Sequence, residues 1–266
     1  MSGLPQELVD QIIDYVNACD RGSLRACSLV CSQWAARSRK HRFAQVKFSS
    51  EYSLQRWCSC IRPGPLGPSS LVQDLFISEH YPPSKSYSPA PWLRPAVFYQ
   101  AGPHLESFSG LRVLEIEGWD MPVEIVRSAL LFFGSSCKNV TRLALGHVFV
   151  QPSTLAMFVS NFPRLNDLSI LDVRRSETRG RDDDLYRGFF TEIAPNYPRG
   201  EFRARYIWRM DEPKAVFKAI TLLKPRFRKV SFGSVANGAW QDYWPLVKAC
   251  GEALEELRIH ATATGE

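Results

Sequence analysis

The sequence predicts an α/β chain in two unequal parts. A small all-α unit occupies residues 1–43, and an irregular solenoid of parallel strands and crossover helices occupies 44–266. Three observations carry this reading. Leu8, Ile12 and Val16, with Val9 and Ile13 beside them, recur at helical spacing near the N-terminus. A frame of apolar-x-x-apolar-x-apolar returns seven times further along. Between its copies the apolar spacing changes from that of a strand to that of a helix.

The first helix is expected to begin at Pro5, whose missing N–H costs nothing in a first turn, with Leu4 to staple the start and Glu7 near the positive helix end. Gln6, Asp10, Gln11 and Asp14 fall mostly on its polar side. Gly22-Ser23 interrupts the pattern, and Ser23 is a ready N-cap for a run in which Leu24, Cys27, Cys31 and Trp34 step by three or four. Some forty residues of short helix bury too little surface to hold a large Trp and two apolar stripes unaided. The apolar excess calls for a partner.

Leu4-Pro5, Glu7-Leu8, Ile12-Ile13, Leu24, Leu29-Val30-Cys31, Trp34 and the closing His41-Arg42-Phe43 resemble the F-box in order and spacing. That is the three-helix module by which F-box proteins dock on the Skp-type adaptor of cullin-RING ubiquitin ligases. In style, the run from Cys27 to Phe43 is similar to F-box-like proteins abundant in higher fungi. The resemblance implies adaptor binding through Leu4, Pro5, Leu8, Ile12, Leu24, Val30 and Trp34. It also implies a cullin scaffold as partner, and a protein target held by the rest of the chain. The plainer alternative is an amphipathic helix pair that closes a core.

Composition agrees with a folded protein, at 45% hydrophobic and 23% charged residues. No run approaches the length a membrane helix needs, and Glu7, Asp10 and Asp14 stand where a signal peptide carries its apolar segment. The expected location is cytoplasmic or nuclear, with no membrane partner. A net charge of +6 and a pI of 9.0 do not imply nucleic acid, because cations and acids are interspersed. Only Arg37 to Arg42 is locally dense, and it reads as a solvated helix end. Seven cysteines form no pairing pattern, and Cys58-Ser59-Cys60 is too tight for a zinc knuckle, so neither disulfides nor a metal or other cofactor is expected.

The repeated frame starts at Phe43, Val72, Leu111, Val140, Leu165, Phe227 and Leu254, with intervals of 29, 39, 29, 25, 62 and 27 residues. The long interval leaves room for a degraded copy, Phe202 to Ile207, which fails at Arg205. Helical spacing follows over Glu124 through Phe133, Ser153 through Phe162, Pro213 through Leu223 and Trp240 through Leu254. Leu114, Ile116, Leu143, Leu145, Leu168, Ile170, Val230, Phe232, Leu257 and Ile259 are the predicted inward positions. The frame resembles leucine-rich repeats of the irregular kind, although the Asn of that pattern is missing. Gly118-Trp119 and Gly146-His147 stand there instead. A doubly wound α/β domain is the alternative, weakened because no Gly-rich phosphate turn follows any strand.

Two insertions are expected. Residues 82–103 hold six prolines around Trp92 and read as a loop without regular structure. Residues 174–200 mix both charge signs, and Asp182-Asp183-Asp184 suits a helix start better than a cation loop.

No Walker A run, GxSxG elbow, HExxH or kinase set occurs, and five scattered histidines make no constellation. The chain is therefore read as a non-enzyme. It would be the substrate-recognition subunit of a ligase, with transfer chemistry in its partners. The other classes left open are a scaffold whose F-box-like segment merely caps the solenoid, and a hydrolase with unmotifed residues. Strand parity turns Glu115, Glu117, Arg142, Asp167, Lys229 and Arg258 outward as candidate target contacts, with the proline-rich stretch as their rival.

Overall fold

The computed structural model describes residues 4–64, 67–78, 95–121, 137–172, 198–205, 213–235 and 240–261. The N-terminal unit is helical. Helix α1 (Gln6–Cys19) starts after Pro5, whose carbonyl accepts the Leu8 and Val9 N–H groups. A 3-10 turn (Arg21–Ser23) follows, in which the Asp20 side chain accepts the Gly22 N–H. It leads into α2 (Leu24–Cys27) and α3 (Ser32–Ala44). Val9, Ile13 and Leu24 form the unit's small core, with Val16 and Trp34 packed against it. Arg37 and His41 are not a solvated helix end as the sequence had suggested. Both reach Asp14 of α1, which they hold at 2.6–2.8 Å.

Eight strands then form one sheet: β1 (Gln45–Phe48), β2 (Asp74–Ser78), β3 (Val113–Glu117), β5 (Arg142–Gly146), β7 (Asp167–Leu171), β8 (Glu201–Arg205), β9 (Lys229–Val235) and β10 (Glu256–Ala261). They lie in chain order and every pairing is parallel. Two short strands, β4 (Asp120–Met121) and β6 (Phe149–Val150), pair beside it. Parallel neighbours require a crossover each time. The described crossovers include α4 (Glu51–Cys60), α5 (Pro95–Glu106), α6 (Pro152–Ser160), α7 (Pro213–Thr221) and α8 (Trp240–Cys250). This is a small helical region followed by eight parallel strands alternating with helices.

Register explains the core. Leu75, Leu114, Leu143, Leu168, Phe202 and Val230 pair in one row, and Ile77, Ile116, Leu145, Ile170, Ala204 and Phe232 in the next. All twelve are buried. Rings fill the space behind the sheet: Trp119 meets Phe158 edge-on, and Phe217 packs between Phe202, Phe232 and Tyr243. Of the residues that stand where the leucine-rich pattern would place Asn, Trp119 is buried, while His147 is partly exposed and meets Asp172 Oδ2 through Nδ1 at 2.9 Å.

Three expectations need correction, and one helix was not expected. Leu257 is 40% exposed and Ile259 only partly buried, because β10 is an edge strand with no further neighbour among the described residues. The degraded copy was framed three residues late. Phe202 and Ala204 take the inward slots, so β8 is regular and Arg205 points outward, while Ile207 lies outside the described residues. Residues 95–103 are not loop, since Pro95 opens α5 and Pro103 sits in its last turn. Helix α4, begun by a Ser50–Ser53 capping box, had no counterpart in the sequence reading. The expected helix at 124–133, Trp92 and Asp182 to Asp184 lie outside the described residues.

A backbone ladder runs along one edge of the strands. The Gln73 N–H donates to Ala44 O, Arg112 to Gln73, Thr141 to Arg112, Asn166 to Thr141, Gly200 to Asn166, Arg228 to Gly200 and Glu255 to Arg228, all within 3.1 Å. Its first acceptor is the last residue of α3.

Candidate interaction surfaces

Helix α1 has two apolar faces. Val9, Ile13 and Val16 turn inward, whereas Leu8, Ile12 and Tyr15 turn outward and continue a line begun by exposed Leu4 and Pro5. Leu29 and Val30, in the turn between α2 and α3, are 80% and 62% exposed. Exposed apolar side chains of this size make the unit a candidate contact surface. Two members of the predicted docking set behave differently. Leu24 is fully buried among Val9 and Ile13, so it shapes the unit and offers no surface. Trp34 packs against that core with part of its ring still accessible. Tyr15 and Leu29, outside the predicted set, are exposed as well, and helical spacing from Leu8 and Ile12 reaches Tyr15.

Residues 1–45 match the family model of the F-box domain. The N-terminal unit is an F-box. No curated protein matches the chain. F-box domains are non-catalytic adaptor modules, generally associated with the substrate adaptors of Skp–cullin-type ligases. Among the described residues, no group of three or more His, Cys, Asp or Glu side chains converges on a metal site, and no helix is long and apolar enough to cross a membrane.

The strand face opposite the core is the second surface, downstream of the F-box. Outward residues line up across the sheet in three rows. One reads Asp74, Val113, Arg142, Asp167, Glu201, Lys229 and Glu256. The next reads Lys47, Phe76, Glu115, Ala144, Ser169, Arg203, Ser231 and Arg258. The third includes Glu117, Gly146, Leu171 and Arg205. All six predicted target contacts therefore face one side. They do not form one cluster, because Lys229 and Arg258 lie with Glu256 near the β10 edge, at 3.3 and 2.5 Å from its carboxylate.

Between the first two rows is a hollow of about 330 Å³, lined by Glu115, Arg142, Ala144, Asp167, Ser169 and Arg203 among others. Its polar groups are unequally satisfied. The Asp167 Oδ1 accepts the Glu201 N–H at 2.8 Å, and Arg203 is held by Glu201 beside it. No ion pair holds Glu115 among the described residues. Burial, with Glu117 adding to it, pushes the Glu115 carboxyl above its ordinary range, against the smaller pull of Lys47 and Arg142. Arg203 and Arg205 were absent from the predicted contacts because the β8 frame had slipped.

Proposed function

We propose that the chain is the target-recognition subunit of a Skp–cullin-type ubiquitin ligase. The F-box would dock on a Skp-type adaptor, and the strand body, a degenerate leucine-rich-repeat-like solenoid, would hold a protein target for partners that carry the transfer chemistry. The observation that carries this is the set of exposed apolar side chains Leu4, Leu8, Ile12 and Tyr15 along α1, together with exposed Leu29 and Val30, on a module matching the F-box. Pro5 and the accessible part of Trp34 would flank that contact, with Leu24 supporting it from within. The domain boundary would lie near residue 43, just before α3 ends at Ala44 and β1 starts at Gln45. Cytoplasm or nucleus is the compartment in which such a ligase works.

A scaffold reading competes on one observation. Helix α3 lies against the 3-10 turn Pro68–Leu71, as the cap of a repeat stack would. Adaptor binding separates the two. Co-expression of the full chain with a Skp-type adaptor is expected to yield a stable complex by size-exclusion chromatography. Leu8→Asp with Ile12→Asp should abolish it while the melting transition is retained. A folded double variant that still binds would sink the ligase reading.

A further inference from the structure

On both of the inner outward rows, strand β3 supplies an acid and strand β8 an arginine. The rows read Glu115–Ala144–Ser169–Arg203 and Glu117–Gly146–Leu171–Arg205. Everything between the charged ends is small or apolar, and the hollow opens over Ala144 and Ser169. We propose that this face receives an extended peptide bearing a basic side chain and an acidic group four residues apart. The basic side chain would sit at Glu115 and Glu117, and the acidic group at Arg203 and Arg205. The inference rests on the reading that the strand face receives the target.

The spacing follows from the sheet. Strand β3 is three neighbours from β8, so the charged ends are about 14 Å apart, the advance of roughly four extended residues. Side chains of an extended peptide alternate, so positions i, i+2 and i+4 all face the sheet. The middle one meets Ala144, Ser169 and the partly exposed Leu171, where a small or apolar residue fits.

The charges point the same way. Glu115 is half-buried with no ion-pair partner among the described residues, next to a second carboxylate two positions on. A cation placed there relieves both the desolvation and the repulsion. Arg205 is exposed and likewise without an ion pair among the described residues, while Glu201 orients Arg203. The flanking row contributes Arg142, Asp167 and Glu201, whose opposite signs leave no sustained positive track for a nucleic-acid backbone. Two carboxylates alone are too few to make Glu115 and Glu117 a calcium site.

The test is fluorescence anisotropy on the full chain, with labelled nonapeptides of Gly, Ser and Ala. They carry Lys and Glu at i and i+4, Lys at both, Glu at both, Lys and Glu adjacent, or neither. The spaced Lys/Glu peptide is expected to bind about tenfold tighter than any other, a difference one well-placed charge contact supplies. Glu115→Lys with Glu117→Lys should move the preference to the Glu/Glu peptide, and Arg203→Glu with Arg205→Glu to the Lys/Lys peptide. Indifference of the native chain to charge pattern, or an unmoved preference in both folded variants, overturns the proposal. Ala144→Trp, which fills the hollow, separates this from the parent reading. If Ala144→Trp removes the co-purifying targets but the charge variants leave peptide preference unmoved, the face is the receptor and the charge pattern is refuted. Targets unaffected by Ala144→Trp overturn both.

Discussion

Arg37 reaches from α3 to α1 and clasps Asp14 with both arms of its guanidinium fork, Nε to Oδ1 at 2.8 Å and Nη2 to Oδ2 at 2.6 Å. His41 Nε2 meets the same Oδ1 at 2.6 Å. The Arg37 hydrogen bonds lower the Asp14 pKa from 3.8 to about 2. A carboxylate whose folded pKa is depressed stabilises the fold fully above its unfolded value, and that contribution fades as pH falls through the folded one. The clasp should therefore weaken between about pH 4 and pH 2. Because Asp14 is 44% exposed, solvent screening limits the effect to roughly 1 kcal/mol or less. Thermal melts of the full chain against Asp14→Asn check this: the two should differ at pH 6 and converge near pH 2.

Leu8 and Leu24 separate docking from folding. Leu24→Ala opens a cavity in a core of three buried side chains and should cost about 2–5 kcal/mol in chemical denaturation. Leu8→Ala removes a side chain that is 45% exposed and lies outside that core, so its stability should change by less than about 1 kcal/mol. Adaptor affinity should report the opposite ranking when both variants are assayed where they remain folded.

Gly200 stands where a side chain has no room. A Cβ there would lie 2.2 Å from Asp167 Oδ1 and 3.0 Å from the Asn166 carbonyl. Gly200→Ala must displace the carboxylate that accepts the Glu201 N–H, loosening the start of β8. The expected loss is about 1–3 kcal/mol, with hydrogen exchange accelerated first at Glu201 and Phe202.

The Glu115 carboxyl is shifted in the direction opposite to that of Asp14. Burial raises the Glu115 pKa, so the ionised group opposes folding, increasingly as pH rises above the unfolded value of 4.5. Glu115→Gln is therefore expected to raise the melting temperature at pH 7, with the gain shrinking as pH approaches 4. A neutral variant less stable than the native chain at pH 7 would contradict this.

Edge position sets the last contrast. Leu143→Ala in a central strand should cost about 2–5 kcal/mol, whereas Leu257→Ala at the β10 edge should cost less than about 1.5. Urea unfolding of both variants decides it.

Strand order and direction were legible because inward pairs such as Leu114/Ile116 and Leu168/Ile170 repeat at a spacing that leaves room for a crossover between them. Other features were hidden for identifiable reasons. Proline density concealed α5, although Pro95 suits a first turn and Pro103 falls late enough to be tolerated. Arg205 reads as a break only when Phe202 is set in the first slot of the frame; aligning Phe202 and Ala204 with Leu168 and Ile170 restores it. On α1, Leu8/Ile12 and Val9/Ile13 are two equally apolar stripes about 100° apart, and periodicity cannot say which one turns inward. That choice depends on Leu24 and Trp34, which lie in other elements. The outward orientation of residues such as Glu115 and Arg142 was legible by strand parity alone, but their grouping needed the register.

The ladder that begins at Ala44 makes the last residue of the F-box helix the first rung of the sheet. Helix and strands are joined with no free linker, so rotation of one carries the other. An extended peptide lying across the strands would inherit the bearing of α3 and hence of any adaptor seated on α1. With an adaptor on α1 and a peptide on the strands, the chain would work as a bracket, its arm length set by the number of strands between the two. Adding or removing one repeat between β1 and β3 would shift a bound target by a strand spacing, about 4.8 Å, without altering either surface.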